Sequence, residues 1–306
     1  MTFFLNDQHQ VYVGKEDFLA ELRHELQDIQ AEQGNLIIAA KNQRPVFALD
    51  IWQNPVSSNI ISIGEAAKEL KSIQGFWYPH LDEHRGRTML IADKLPSVKR
   101  FMTPLFPMTS RPSIGAFTLL DRDVLLYASQ REKPFPDGIF NVVEDKIHPP
   151  NRAYLKLWEA LSVLGRYPEA GQTALDLGAS PGGWTYVLAS MGAQVTAIDK
   201  APLDKKLAKL PNVEAKQLSA FSLQPRDVDP IDWWVCDIAC YPEKLYGYLL
   251  PWIESGKVGQ FIVTIKLQGK TDFDILKKFQ AIPGGRVMHL YQNKHEATFF
   301  YPSISQ

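Results

Sequence analysis

The stretch TALDLGASPGGW, residues 173–184, decides the fold of this chain. A short apolar strand runs into a glycine-rich turn, and the turn opens a helix at Trp184. Gly178 permits a tight turn, and Gly182 and Gly183 let the backbone approach a ligand closely. Because the spacing is not the G-x-G-x-x-G of dinucleotide enzymes, the pattern predicts a ligand-binding turn of a different kind.

Two carboxylates indicate which ligand this turn holds. Asp176 is predicted to lie inside the turn, where it suits an ammonium group better than a pyrophosphate. Asp199 ends the next predicted strand, where a carboxylate can accept hydrogen bonds from ribose hydroxyls. S-adenosylmethionine carries both groups and is the predicted cofactor. The alternative is a purely structural turn with a chance acidic residue.

Strands and helices alternate through the second half of the chain. The predicted strands are 173–177, 195–198, 233–236, 261–265, 286–291 and 297–301, and the predicted helices are 152–164, 184–191, 241–253 and 272–279. Alternating units predict a Rossmann-like α/β domain with a mostly parallel sheet. The last two strands, joined by a polar turn, predict a terminal hairpin with one antiparallel strand.

The chain is predicted to hold two domains, residues 1–145 and 146–306. The boundary is a proline-rich segment, residues 131–151, which is predicted to be a linker. The first domain is predicted to be a smaller α+β domain. Its predicted strands are 11–13, 36–39 and 46–51, and its predicted helices are 15–30 and 63–73.

Composition excludes several classes of protein. The chain has 306 residues, 45% of them hydrophobic and 22% charged, as in soluble globular proteins. No apolar stretch is long enough to span a bilayer, and the first ten residues lack the pattern of a signal peptide. Cys236 and Cys240 lie too close together to indicate a disulfide scaffold, so a reducing cytoplasm is predicted. The seven histidines show no paired ligand spacing, so no metal site is predicted.

Charge is distributed unevenly between the two predicted domains. Residues 1–145 carry 15 Lys and Arg against 19 Asp and Glu, whereas residues 146–306 carry 18 against 15. The excess of three positive charges in residues 146–306 permits a phosphate-binding face on the second domain. In the first domain, basic residues and aromatics alternate over residues 84–111, which permits RNA contacts or an ordinary solvated surface. This basic segment contains Arg85, Arg87, Lys94, Lys99, Arg100, Phe101, Phe106 and Arg111.

The D-L-G-x-x-P-G-G turn resembles that of the FtsJ-type RNA ribose 2'-O-methyltransferases. That family carries a Lys-Asp-Lys-Glu tetrad, and this sequence has a counterpart of each member in matching context. Lys156 lies on the helix before the turn, Asp237 and Lys266 close two strands, and Glu296 opens the last strand. The resemblance covers about half the chain.

Within that family, the sequence is most similar to the bacterial large-subunit rRNA cytidine 2'-O-methyltransferases. The features that carry this similarity are the G-G-W-T-Y turn, the C-D-I segment and the proline-rich lead-in to Arg152. The resemblance implies 23S rRNA as substrate and an N-terminal RNA-binding domain of the THUMP type. Ser219 departs from the family, which usually has an acidic residue near the adenine.

The resemblance also implies roles for the tetrad. Lys266 is expected to act as a base or to lower the pKa of the ribose hydroxyl, with its own pKa lowered by burial beside a second cation. Asp237 and Glu296 are expected to orient it, and Lys156 to position the hydroxyl. The expected cofactor contacts are Asp176, Gly178, Ser180, Pro181, Gly182, Gly183, Trp184, Asp199, Ser219 and Asp237.

Three alternatives remain open from the sequence. The chain could methylate an RNA base or a small molecule, neither of which would need the tetrad. It could also be an inactive module that binds both cofactor and RNA. A cysteine nucleophile of the base C5-methyltransferase class is disfavoured, because Cys236 lies within an apolar strand and Cys240 lacks that class's Pro-Cys context.

Overall fold

The glycine-rich turn lies in the second of two compact units into which the chain divides. A computed structural model describes residues 5–99, 106–108 and 113–302. The units are Met1–Val143 and Glu144–Gln306. Every helix within the described residues is too short or too polar to span a lipid bilayer.

Within its described residues, the first unit contains two sheets and three α-helices. Its strands are β1 His9–Gly14, β2 Ala31–Gln33, β3 Leu36–Ala40, β4 Ala48–Gln53, β5 Val56–Asn59, β6 Trp77–Pro79, β7 Gly115–Asp121, β8 Val124–Ala128 and β9 Gln130–Arg131. Its helices are α1 Leu19–Glu25, α2 Ile63–Ile73 and α3 Arg85–Ala92. One sheet has the order β2-β3-β1-β4-β9, and the other has the order β5-β8-β7-β6.

Alternating side chains of β7 and β8 build two cores on opposite faces of the second sheet. Ala116 and Leu126 pack in one cluster with Val11 and Trp52 of the first sheet. Phe117 and its neighbours pack on the other face, in a cluster with apolar residues of α2 and α3. Successive side chains of a strand point to opposite faces of the sheet, so neighbouring residues of β7 and β8 belong to different cores.

The structure corrects two expectations for the first unit and adds elements that the sequence did not predict. The predicted helix over residues 15–30 ends at Glu25, whose carboxylate accepts the N–H groups of Val46 and Phe47, each at 3.0 Å. The prediction of a linker over residues 131–151 is wrong for the first half of that segment, because Arg131 belongs to β9 and Phe135 is buried. Strands β2 and β5 to β9 and helix α3 were not predicted.

The basic segment of the first unit is only partly described. Residues 85–92 form α3, and Arg87 pairs with Asp123 at 3.0 Å. Arg100, Phe101 and Arg111 lie outside the described residues.

The second unit is the predicted α/β domain. Its strands are β10 Thr173–Leu177, β11 Gln194–Asp199, β12 Val213–Gln217, β13 Ile231–Cys236, β14 Val258–Lys266, β15 Arg286–Met288 and β16 Glu296–Tyr301. Its helices are α4 Tyr154–Leu164, α5 Gly183–Ser190, α6 Pro242–Glu254 and α7 Phe273–Gln280. The predicted elements are confirmed to within a few residues, and only β12 was missed.

The strand order of this unit indicates where along the sheet a ligand can bind. The seven-stranded sheet runs β12-β11-β10-β13-β14-β16-β15, and only β16 is antiparallel to its two neighbours. From β10 the chain moves outward to β12 and then returns to the other side of β10 with β13. Ligands of such sheets bind at the carboxyl ends of the strands where this reversal occurs. Leu177 pairs with Cys236 there, so Gly178 and Asp237 leave the sheet side by side.

Candidate active site

The turn after β10 has the tight form that the sequence predicts. Gly178 has a φ of +80°, in the left-handed region that favours glycine, and its N–H donates to the carbonyl of Ile198 at 2.9 Å. A Cβ at Gly178 would lie 3.0 Å from the Ile238 side chain. The predicted tight turn is therefore confirmed.

Gly182 and Gly183 are required for packing within the protein. A Cβ at Gly182 would lie 2.3 Å from the Leu207 side chain, and one at Gly183 would lie 2.2 Å from the Asn151 side chain. The sequence predicts that these two glycines let a ligand approach the backbone. In the structure, protein atoms instead occupy the space beside both residues. Their small size instead lets the turn lie close to Leu207 and Asn151.

Asp176 does not lie in the turn, which corrects the sequence prediction. It is the fourth residue of β10 and is fully buried. Its Oδ2 accepts a hydrogen bond from the Thr185 hydroxyl at 2.6 Å, while Oδ1 has no partner among the described residues. Burial, aided by the charges of Asp237 and Asp199, raises the pKa of Asp176 to about 7.

This raised pKa predicts that Asp176 makes the protein less stable as the pH increases. An unfolded aspartate ionises near its ordinary pKa of 3.8, so the folded state binds more protons between pH 4 and 7 and its stability falls across that range. We expect Asp176→Asn to unfold at a higher urea concentration than the wild type at pH 8, and to lose this advantage at pH 4.5. The difference should not exceed about 4 kcal/mol.

The control for this measurement is Asp229→Asn, because Asp229 is exposed. Its difference from the wild type should be the same at both pH values. If the difference in stability between Asp176→Asn and the wild type were also the same at both pH values, the raised pKa of Asp176 would be contradicted.

A cavity of about 630 Å³ opens at the carboxyl ends of β10 to β13. Five of the expected cofactor residues line it: Gly178, Ser180, Asp199, Ser219 and Asp237. The other five, Asp176, Pro181, Gly182, Gly183 and Trp184, are not among its lining residues. Trp184 is buried, and its indole N–H donates to the carbonyl of Ala153 at 3.0 Å. The cavity also reaches Lys200, Phe221, Tyr241 and Lys244, which the sequence analysis did not propose.

Asp199 connects the turn to the segment that follows β11. Its Oδ2 accepts the N–H of Ser180 at 3.1 Å, and its Oδ1 accepts the N–H of Ala201 at 2.9 Å. A carboxylate has about four acceptor positions, so both oxygens can still accept hydrogen bonds from ribose hydroxyls. Ser219 precedes a short 3-10 helix, Ala220–Ser222, at the neighbouring strand end.

The residues present fit S-adenosylmethionine. Asp199 and Asp237 place two carboxylates on the wall of the cavity. Carboxylates suit a ligand that carries a sulfonium and an ammonium group. Ile238 and Phe221 add apolar surface for a nucleobase, and the volume is typical of small-molecule sites.

The four tetrad residues form a closed ring of ion pairs. Lys156 Nζ lies 2.6 Å from Asp237 Oδ2 and 3.1 Å from Glu296 Oε1. Lys266 Nζ contacts the other oxygen of each carboxylate, Asp237 Oδ1 and Glu296 Oε2. Positive and negative groups alternate around the ring, and the side chains are between 9% and 22% exposed. The residues that the sequence predicts as a set are therefore in direct contact.

The sheet explains why residues so distant in sequence meet. Asp237 follows β13, and Lys266 ends the adjacent parallel strand β14. Glu296 begins β16 and pairs directly with Lys266 in the antiparallel register. Lys156 reaches the ring from α4.

The expectation that burial lowers the pKa of Lys266 is wrong. Burial does favour the neutral amine, but the charges and hydrogen bonds of Asp237 and Glu296 outweigh it, so the pKa of Lys266 is raised. Burial likewise favours neutral Asp237, but Lys156 and Lys266 outweigh it and lower the pKa of Asp237. Lys266 is therefore an ammonium and Asp237 a carboxylate at neutral pH.

Two residues that were not predicted from the sequence support the ring, and a third holds the backbone that leads to Glu296. Thr264 donates to Asp237 Oδ1 at 2.5 Å, and Asn293 donates to Glu296 Oε1 at 3.4 Å. Glu159 is buried in α4, and its carboxylate accepts the N–H groups of Tyr291 and Gln292, each at 2.7 Å. An acidic residue within the apolar stretch of α4, three positions after Lys156, was the signal that could have identified Glu159.

Neither cysteine has the environment of a nucleophile. Cys236 is fully buried and Cys240 is partly buried. Burial raises the pKa of both thiols, so the reactive thiolate is disfavoured.

Comparison with known proteins adds relatives of stated function. The family model described as FtsJ-like methyltransferase matches residues 149–293. Ribosomal RNA large subunit methyltransferase M from Halorhodospira halophila is 30% identical over 242 residues, which cover 73% of this chain and 68% of the relative. The protein of the same name from Marinomonas sp. is 29% identical over 303 residues, which cover 88% of this chain and 85% of that relative. The protein of the same name from Thauera aminoaromatica is 34% identical over 167 residues, which cover 49% of this chain and 45% of that relative.

Proposed function

Since the chain belongs to the ribosomal RNA large subunit methyltransferase M family, we propose that it methylates a ribose 2'-hydroxyl of 23S rRNA, with S-adenosylmethionine as methyl donor. The observation that carries this proposal is the position of Asp237. This residue belongs to the ion-pair ring and also lines the cavity that fits the cofactor. A hydroxyl held by the ring therefore lies next to the cofactor site. Because the proposed substrate is rRNA, we also propose that the enzyme acts in the cytoplasm.

The cofactor, when bound, supplies a methyl group that its sulfonium already activates. The task left to the protein is to align the hydroxyl and to remove its proton. The Lys266 ammonium donates a hydrogen bond to the ribose oxygen, and its positive charge lowers the pKa of the hydroxyl. Because Lys266 holds its proton, it acts through this charge and not as a general base.

The Asp237 carboxylate accepts the hydroxyl proton in this mechanism. The oxygen becomes strongly acidic as its bond to carbon forms, so a weakly basic carboxylate is sufficient late in the reaction. Lys156 and Glu296 hold Asp237 and Lys266 in position through the ring. The ring carries two charges of each sign, so it needs no further counterion.

The first unit is assigned to RNA docking in this proposal. The alignment with the Marinomonas relative spans 303 residues and so includes both units. Residues 1–145 carry a net charge of −4, so RNA contacts there depend on local groups and not on overall charge.

The function is tested by locating the methyl group that the enzyme adds. We expect the full chain to transfer labelled methyl from S-adenosylmethionine to in vitro transcribed 23S rRNA, and to make one phosphodiester bond resistant to alkali. Small-subunit rRNA serves as the control and should acquire no label. Label on a base would favour a base methyltransferase, and cofactor binding without transfer to any RNA would favour an inactive module.

A further inference from the structure

The segment that follows β11 concentrates positive charge at one side of the cavity. Residues 200–209, which we call the lysine segment, contain Lys200, Lys205, Lys206 and Lys209 but only one acidic residue, Asp204. Its net charge of +3 equals the whole excess of residues 146–306. All four lysines are exposed, and none takes part in an ion pair within the described part of the chain. These ammonium groups are available to an external anion.

The lysine segment is fastened to the turn of the cofactor site. Leu207 is buried, and its side chain would lie 2.3 Å from a Cβ at Gly182, so this side chain packs directly against the turn. The N–H of Asp204 donates to the carbonyl of Pro181 at 2.9 Å, and the Ser180 hydroxyl donates to the carbonyl of Pro202 at 2.9 Å. The lysines therefore extend from a backbone whose position relative to the turn is set by these contacts.

The lysine segment is also continuous with the reaction site. Lys200 lines the same cavity as Asp237. The segment begins at the end of β11, which is two strands from β13 in the sheet. Neighbouring strands are about 4.8 Å apart, so Lys200 begins about 10 Å from the strand that carries Asp237. A nucleic-acid strand with one ribose at the ring can reach this segment within a few nucleotides.

We propose that the lysine segment binds the phosphate backbone of the RNA beside the nucleotide that is methylated. The proposal rests on the function proposed above and adds the surface that holds the substrate. Closely spaced exposed lysines suit a row of phosphates, because the ammonium is a compact charge on a flexible stem. Such contacts supply affinity and position but do not read the base sequence.

The test compares two adjacent lysine pairs in the full-length protein. Lys205→Gln with Lys206→Gln removes two charges from the lysine segment, and Lys277→Gln with Lys278→Gln removes two exposed charges from α7. In vitro transcribed 23S rRNA is the probe, and its affinity is measured from 0.05 to 0.3 M salt with S-adenosylhomocysteine present. Calorimetry with S-adenosylhomocysteine alone checks that each variant is folded.

We expect the Lys205/Lys206 variant to bind the rRNA about tenfold more weakly at 0.15 M salt, with a salt slope smaller by about 1–2. Its rate at saturating RNA and its cofactor affinity should match the wild type, and the α7 variant should match in all measurements. Unchanged RNA affinity in the first variant, or equal losses in both, would overturn the assignment of this surface while leaving 2'-O-methylation intact. A wild-type enzyme that methylates no RNA would instead overturn the proposed function, and this inference with it.

Discussion

Replacing Lys266 with alanine should lower the rate of methyl transfer about 10²–10⁴-fold while leaving cofactor affinity nearly unchanged. The loss follows from the removal of the positive charge that lowers the pKa of the ribose hydroxyl. Lys266 contacts both carboxylates of the ring and is not among the residues that line the cavity. Single-turnover transfer to 23S rRNA measures the rate, and calorimetry measures cofactor binding. Lys277→Ala, on the exposed face of α7, is the control and should retain full activity.

The pH dependence separates the two roles that Lys266 could have. A general-base lysine must lose its proton, so the rate would rise with pH up to its pKa. Because Asp237 and Glu296 raise the pKa of Lys266, we expect the wild-type rate to be independent of this lysine between pH 6.5 and about 9. A rate that rises tenfold per pH unit in this range and loses that dependence in Lys266→Ala would restore the general-base role.

Asp237→Asn should reduce methyl transfer by a similar factor, about 10²–10⁴-fold. The substitution keeps the shape of the side chain but removes the proton acceptor and the negative charge shared by Lys156 and Lys266. The two lysines would then repel each other with only Glu296 between them, so the protein should also be less stable. Breaking a buried ion pair costs about 3–5 kcal/mol, and the 15% exposure of Asp237 places the expected loss near or below the lower value.

Two measurements distinguish the chemical role of Asp237 from a loss of folding. Urea unfolding gives the stability, and the transfer rate is compared at a temperature where both proteins are fully folded. Asp229→Asn is the matched exposed control and should change neither quantity. Full transfer activity in folded Asp237→Asn would exclude this carboxylate as the proton acceptor.

Several local predictions agree with the structure because neighbouring residues determine them. The strand from Thr173 to Leu177 and the helix from Ile63 to Ile73 have the predicted bounds. Ser62 caps that helix by accepting the N–H of Glu65, a contact within one turn of chain. By contrast, β12 is an edge strand with no fully buried residue. It has only two apolar residues, Val213 and Ala215, so its pairing with β11 is what defines it.

By itself, the sequence determined that the second unit is a mostly parallel α/β domain with a glycine turn, and its resemblance to a known family identified the four residues of the ring. It could not determine which way Asp176 faces or whether Lys266 carries a proton. Those properties depend on groups distant in sequence: Thr185 and the surrounding core for Asp176, and the two carboxylates for Lys266. Backbone preference acts between adjacent residues, whereas burial and charge act through space. Only the folded sheet, which brings α4, β13, β14 and β16 together, therefore decided the electrostatics of the site.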